Sequence, residues 1–387
     1  MKVCNFRPLV CIALIVIGAI GSATLSIWLV LTVAMVLFAG LWFAKVPTQF
    51  KVVALLAFMV ALISYGLTTY SVANPYQRTY DPDVGLRGVV LRYVRWYLTM
   101  FLSPKNADIL YTMMFGDKSV LSWWTIQEFN ATGLAHILAV SGFHVDLFYL
   151  IVSCLLKLCR VPKRAHIWMI TPLLLFYGYL CGWRYAVLRA VIMCLIYAFA
   201  RHRLVVADAL SALSLAAVII LIIYPYALFS ASFLLSFACV LGINLWYDTF
   251  YRIVPVKSVA MYLAVTAGSL PFLLYFFGRE PIFGLVANVI LLPLLVVSFY
   301  IGIFAVSTFV CGAVLWIVEP LLNFVRWITQ AVGRLSWAVV HISHGLPAIF
   351  VYFCASIILS RFIFLKPKVK SFLAAMLFTC YFVLLMV

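Results

Sequence analysis

The chain has 387 residues, of which 67% are hydrophobic and only 10% are charged. A soluble domain is nearer half apolar and a quarter charged, so this composition excludes a soluble globular protein and predicts a polytopic membrane protein. The formal net charge of +17 at pH 7 is compatible with a nucleic-acid partner, but cytoplasmic loops collect Lys and Arg for topology alone. The ten cysteines form no CxxC pair and no Cys/His metal spacing, so we expect no disulfide framework, metal site or cofactor.

Residues 1–73 are predicted to form N-terminal transmembrane helices. The apolar run at 8–44 is too long for one span, since about 20 residues cross the hydrocarbon core. Gly18, Gly21 and Ser22 interrupt this run, which predicts a helical hairpin, and a third span is expected at about 52–70. A cleaved signal peptide is the alternative, but another apolar run follows at once.

Residues 74–132 are predicted to form an external polar and amphipathic region. Three arginines are interleaved with apolar side chains at 86–102, a pattern typical of a basic amphipathic helix lying on the bilayer surface. Pro104 can open a second helix, which is expected to end near Gly116. Ser122 is expected to cap a further short helix.

Residues 133–387 are predicted to form a transmembrane domain. Spans are expected near 134–157, 166–181, 184–200, 205–223, 227–247, 258–277, 282–300, 302–318, 346–364 and 370–387. The fold class is therefore all-α, a polytopic helical membrane protein with about 13 transmembrane helices plus interfacial amphipathic helices. Segment 320–343 is expected to be an external amphipathic helix, while Pro271 and Pro293 should kink or interrupt their helices.

Basic residues recur at alternate loops of this predicted arrangement. The clusters are Lys157 to Arg164, Arg201 and Arg203, Arg252 and Lys257, and Arg361 to Lys370. Because cytoplasmic loops carry an excess of Lys and Arg, the pattern places the N-terminus in the cytoplasm.

The stretch 133–146, with the sequence GLAHILAVSGFHVD, places ionisable groups in an apolar run. Such groups are costly to bury in hydrocarbon without partners, so they mark a candidate functional site. On one continuous helix His136 and His144 would lie about 80° apart. Gly142 permits a break that would bring them closer together.

The residues alone leave four interpretations of His136, Ser141 and His144 open. They can line a polar passage and contact phosphates or bases, or join Asp146 or Asp117 in a metal site, although the spacing matches no known zinc set. Ser141 can be a nucleophile with a histidine base, although no GxSxG motif supports it. All three can instead fix helix packing through hydrogen bonds to neighbouring helices.

Several motifs occur in a fixed order along residues 104–300. They are GDKSVLS at 116–122, ATGLAHILAVSGFHV at 131–145, VLRA at 187–190, SFLLSFACVLGI at 232–243, LP at 270–271, GLVAN at 284–288 and PL at 293–294. The ordered set closely resembles the signature of the ComEC competence family. The resemblance implies an inner-membrane channel that translocates single-stranded DNA during natural transformation.

The resemblance also implies which residues line the DNA path. The candidates are His136, Ser141, Gly142, His144, Arg189, Ser232, Ser236 and Asn288, supported by Gly116 and Asp117. The implied partners are single-stranded DNA, the lipid bilayer, an external DNA receptor, and a cytoplasmic helicase and single-strand-binding proteins. A homodimer is left open, and energy is expected from a partner ATPase or from strand capture.

Arg189 is expected early in a span, with Arg184 about one turn before it. A buried guanidinium offers a rigid fork of donors for phosphate oxygens, and snorkelling to the interface is the alternative. Asp117 can pair with Arg189 or Lys118, or cap a helix.

The chain departs from the family pattern in four places. The interval before the signature is too short for an OB-like barrel, and no HxHxDH set of a metallo-β-lactamase-like domain is found, so no nuclease activity is expected of this chain and the preferred interpretation is a channel, not an enzyme. Arg184 and Tyr185 replace the family's Ser-Pro, and Leu234 replaces a glutamine. Two alternative functions remain: a membrane enzyme acting on a lipid through His136, Ser141 and His144, and a small-solute permease.

Overall fold

The computed structural model describes residues 8–23, 48–73, 85–203, 205–308, 312–335, 337–341, 349 and 351–352, and these are nearly all helical. The α-helices with described bounds are α1 Pro8–Ala23, α2 Thr48–Ala73, α3 Leu86–Phe101, α4 Pro104–Phe115, α5 Trp123–Ala131, α6 Gly142–Leu158, α7 Lys163–Leu180, α8 Tyr185–His202, α9 Ala209–Ile223, α10 Ala231–Ile253, α11 Lys257–Phe277, α12 Gly284–Thr308 and α13 Leu315–Gly333. Short 3₁₀ turns span Pro225–Phe229 and Gly312–Val314, and β1 Arg279–Pro281 pairs antiparallel with β2 Val339–His341.

Five helical segments in the described part of the chain are long and apolar enough to cross a membrane. They are α8, α10, α11, α12 and the segment Gly312–Gly333 that contains α13. Shorter apolar helices occur at Leu9–Ile20, Val52–Gly66, Ala165–Leu180 and Ala209–Ile223. The total of about 13 spans stays a prediction, and the second arm of the N-terminal hairpin and most of the spans expected at 346–364 and 370–387 lie outside the described residues.

The helices within residues 74–132 begin and end where the proline, glycine and N-cap residues of the sequence predict. The amphipathic helix is α3, and its buried stripe includes Leu91, Val94 and Leu98. Pro104 opens α4, and Gly116 ends it in the left-handed conformation at φ 76°. Ser122 caps α5 by accepting a hydrogen bond from the backbone N–H of Thr125 at 3.2 Å.

Three helix predictions in the second half are wrong. Helix α6 begins only at Gly142, because residues 132–141 form turns. The span expected at 282–300 continues into the first residues of the one expected at 302–318 as a single helix, α12, and the later described residues of the second span lie in the Gly312–Val314 turn and α13. Neither Pro293 in α12 nor Pro271 in α11 interrupts its helix, and a kink at either proline stays a prediction. The segment 320–343, expected to be an external amphipathic helix and not a span, is α13, which begins earlier, ends at Gly333 and belongs to a segment long and apolar enough to cross a membrane.

Helices α3, α4, α12 and α13 share one apolar core and a polar connection between α4 and α13. The Asn106 amide is fully buried and donates to Asn323 Oδ1 at 2.9 Å. The Ser103 backbone N–H donates to Glu319 Oε2 at 3.1 Å, and the Arg326 guanidinium donates to Asn106 Oδ1 at 3.3 Å. These bonds satisfy groups that would be costly to bury alone, so they fix α4 against α13.

Helices α10 and α11 cross at small residues. A Cβ added to Gly242 would lie 2.7 Å from the Gly268 Cα, and one added to Gly268 would lie 2.8 Å from the Gly242 Cα. The same two positions face the backbone carbonyls of Ala264 and Ala238. Small residues let two membrane helices approach this closely, so the pair depends on having no side chain at either glycine.

Glu280 in β1 provides a pH-dependent stability test. Its Oε2 is buried and has no hydrogen-bond partner among the described residues, and burial raises the pKa of this carboxyl from 4.5 to about 7. The folded state therefore holds the proton more tightly than the unfolded state, so stability should fall as pH rises from about 4.5 to about 7 and level off above it. Glu280→Gln should flatten this fall, measured as the thermal midpoint in detergent between pH 5 and 8; an unchanged profile would contradict the assignment.

Candidate functional site

The site begins at the turn that precedes α6. Gly133 adopts φ 77°, and a Cβ there would lie 2.8 Å from the Gly284 Cα at the start of α12. The turn thus places residues 134–141 against α12 and ends at Ser141, which is the N-cap of α6. His136 lies in this segment, with Nδ1 3.1 Å from the Gly133 carbonyl oxygen, and its side chain is exposed.

Ser141 and His144 contact each other as parts of the α6 N-terminus. The Ser141 backbone N–H donates to His144 Nδ1 at 3.3 Å, and the Ser141 hydroxyl lies 3.3 Å from the same nitrogen. The ring is 2% exposed and packs edge-on against Phe299, with ring centroids 5.3 Å apart. This geometry satisfies a backbone donor that the helix start leaves open, which favours a structural part for the His144 ring.

Arg189 on α8 is the buried cation of the site. Only 8% of the residue is exposed, and its guanidinium lies against Gly142: a Cβ there would be 3.3 Å from Arg189 Cζ and closer still to Nη2. The Met193 sulfur accepts a weak hydrogen bond from Nη1 at 3.7 Å. Nε has no partner among the described residues, and no described carboxylate lies within ion-pair distance of the guanidinium.

Asp146 is a neighbour of Arg189, although the family resemblance does not include it among the residues of a DNA path. It interacts electrostatically with Arg189, and its Oδ1 accepts a hydrogen bond from the Cys194 thiol at 3.2 Å. The residue lies at the surface of the protein. Helical spacing could have found it, because Asp146 lies four residues after Gly142 and therefore on the same face of α6.

The remaining predicted residues are not joined to Arg189 by any hydrogen bond or ion pair in the described part of the chain. Ser232 on α10 is exposed, and the Ser236 hydroxyl on the same helix is buried without a partner. The Asn288 amide donates to the Gly284 carbonyl within α12 at 2.7 Å. Their place in a DNA path stays a prediction.

Gly116 and Asp117 form a local turn. Asp117 Oδ1 accepts hydrogen bonds from the Ser119 backbone N–H at 3.0 Å and from its hydroxyl at 2.6 Å. The structure thus places the carboxylate in a turn with Ser119, an arrangement that was not among the pairings or the helix cap expected for Asp117. No group of three His, Cys, Asp or Glu side chains in the described residues is arranged to hold a metal ion.

The comparisons with known proteins agree with this arrangement of motifs. ComE operon protein 3 of Bacillus subtilis (strain 168) is 27% identical over 212 residues, which cover 52% of this chain and 26% of that protein. The match therefore spans about a quarter of the relative's length. No solved structure matches the chain. The profile of the competence protein family matches residues 113–385, which is more than half of the chain and includes every candidate residue above. The chain therefore belongs to the ComEC competence protein family.

Proposed function

We propose that this membrane protein passes single-stranded DNA across the inner membrane during natural transformation, along a path that includes Arg189. The observation that carries the proposal is the buried guanidinium of Arg189, whose Nε is unpartnered and which has no described carboxylate at ion-pair distance. Family membership and the relative named ComE operon protein 3 support a role in DNA uptake.

The chemistry of the site supports an anionic cargo. A buried cation without a paired carboxylate is costly, and it is stabilised when an anion reaches it. The guanidinium presents a planar fork of donors that matches phosphate oxygens. Because a phosphate contact carries no sequence information, such a site suits a strand that must pass whatever its base sequence.

The distribution of charge supports the proposed orientation. Basic residues lie in the last turns of α6, α8 and α10, at Lys157, Arg201 and Arg252. If α7 and α9 return across the bilayer between these helices, the three ends lie on one side, which the excess of Lys and Arg makes cytoplasmic. The N-terminus is then cytoplasmic, and the strand would be received by a cytoplasmic helicase and single-strand-binding proteins after delivery by an external receptor.

A membrane enzyme acting on a lipid is the second candidate. Its supporting observation is the 3.3 Å distance between the Ser141 hydroxyl and His144 Nδ1, which a nucleophile and its base would need. The same nitrogen also accepts the Ser141 backbone N–H, which a helix cap explains equally. Loss of lipid turnover in membranes carrying Ser141→Ala would favour the enzyme over the channel.

Deletion of the gene should abolish internalisation of labelled DNA and leave surface binding unchanged. Binding to the cell surface and appearance of an internal single strand are scored separately, and the wild-type gene supplied in trans should restore the second. Unchanged internalisation in the deletion strain would contradict the channel. A small-solute permease would instead show a transport defect for a solute with DNA internalisation intact.

A further inference from the structure

A second group of cations lies at the end of α8 where Arg189 is found. Arg184 is the N-cap of α8, and its Nη1 lies 3.2 Å from where a Cβ of Gly116 would be. Lys118 is close enough for Arg184 to lower its pKa, together with the larger effect of burial. Arg87 reaches the same turn from α3, where its Nε donates to the Leu180 carbonyl at 3.0 Å.

Arg87 and Arg184 both lie at the turn between α7 and α8. A Cβ on Gly182 would lie 3.4 Å from Arg87 Nη2, and both Arg87 and Arg184 interact electrostatically with the Cys181 side chain. No described carboxylate forms an ion pair with Lys118 or Arg184, and nearby Asp117 uses its Oδ1 to bind Ser119. Arg184 and Lys118 repel one another, so their arrangement is more stable when an anion lies between them.

This cluster lies at the same end of α8 as Arg189. Arg184 lies five residues before Arg189, which places it about 7.5 Å further toward the N-terminal end of α8. Arg184 is exposed, Lys118 is half-buried and Arg189 is buried, so the three positions run from the surface inward. The N-terminus of the 18-residue helix α8 adds its own partial positive charge at Arg184.

We propose that Lys118 and Arg184, with Arg87 beside them, form an entry site that binds backbone phosphates of a single-stranded polynucleotide before they reach Arg189. The assignment rests on the proposed function and names the part of the strand that is bound. All three groups are cationic donors that would contact backbone phosphates and not bases, so the site should bind strands of any sequence with similar affinity.

The test is the salt dependence of oligonucleotide binding to the full-length protein in phosphatidylcholine nanodiscs. A fluorescent oligothymidylate is titrated between about 0.05 and 0.3 M salt, and log K is plotted against log salt concentration. For single strands each phosphate contact contributes a slope of about −0.7. Lys118→Gln and Arg184→Gln should each reduce the slope by about 0.7, a loss of about fivefold in affinity at 0.1 M salt, and the double variant by about 1.4.

Two variants serve as controls. Arg201→Gln removes an exposed charge from the other end of α8, roughly 25 Å away, and should leave the slope unchanged. Lys118→Arg keeps the charge and should also keep the slope. Arg87 is left intact because its bond to Leu180 fixes α3 against α7.

The outcomes separate the two proposals. A wild-type protein that binds with a steep slope, unaltered by Lys118→Gln and Arg184→Gln, would overturn the entry site and leave the channel standing. Absence of oligonucleotide binding by the wild type would overturn both. If the variants instead lose co-purified phosphatidylglycerol with no change in slope, the cluster binds lipid headgroups and the assignment to a polynucleotide is wrong.

Discussion

Arg189→Gln should lower the internalisation of labelled DNA roughly 10- to 100-fold while surface binding stays at the wild-type level. A hydrogen bond to a charged group is worth about 1.5–3 kcal/mol, and each 1.4 kcal/mol is a factor of ten. The loss follows because the guanidinium is buried against Gly142 and would neutralise phosphates inside the membrane, where water cannot replace it. Internal single strand is measured after nuclease treatment of the cells, at matched membrane levels of each variant.

Gly142→Ala tests whether the position of the guanidinium matters as well as its charge. The added methyl group would occupy the space of Arg189 Nη2, which is the far end of a flexible side chain and can move at little cost to folding. Thermal stability should therefore change little while internalisation falls, and combining Gly142→Ala with Arg189→Gln should add little further loss. Arg201→Gln, on the opposite end of the same helix, should internalise DNA normally. Normal internalisation by both Arg189→Gln and Gly142→Ala would place the path elsewhere.

The elements that could be predicted from the sequence are those whose ends are fixed by neighbours in the chain. Pro104, Gly116 and Ser122 each set a helix end through a backbone dihedral angle or a cap, and all three ends are confirmed. The basic amphipathic helix was also predictable, because its apolar stripe repeats at helical spacing.

The helix bounds that were predicted wrongly depend on contacts that composition does not reveal. An apolar run at 134–157 fits a span by hydropathy, but Gly133 turns the chain against Gly284, which lies about 150 residues later. Pro293 was expected to kink or interrupt its helix, and the helix in fact continues through it to Thr308. Hydropathy counts membrane crossings from the length of an apolar run, so it placed the boundary between two spans near residue 301, which lies inside this helix.

The candidate site was predicted in its parts but not in its arrangement. Motif resemblance selected Gly142 and Arg189 independently, and only the packing of α6 on α8 shows that the two are in contact. The hydrogen bond between Asp146 and Cys194 could not be predicted, because a contact between residues on different helices leaves no local pattern. The charges that meet at Gly116 and Gly182 likewise come from three separate segments of the chain.

Gly268→Ala should destabilise the protein by about 1–3 kcal/mol, because overpacking a close contact forces the backbone itself to move. A Cβ at this position meets the Ala238 carbonyl and lies 2.8 Å from the Gly242 Cα, so no side-chain rotation can relieve the contact. Helices α10 and α11 would have to separate, and α10 carries Ser232 and Ser236 of the predicted path. Unfolding in mixed detergent micelles with sodium dodecyl sulfate measures the change, and Gly242→Ala should behave in the same way.

Gly66→Ala is the matched control for this substitution. Gly66 lies within helix α2, and an added Cβ there meets nothing within 4 Å in the described part of the chain. Alanine favours a helix over glycine by about 1 kcal/mol, so this variant should be neutral or more stable. If Gly268→Ala were as stable as Gly66→Ala, the close approach of α10 and α11 would be wrong. DNA internalisation by the two variants should then be compared at equal amounts of folded protein. If internalisation by Gly268→Ala is still reduced under that condition, the separation of α10 and α11 also alters the path.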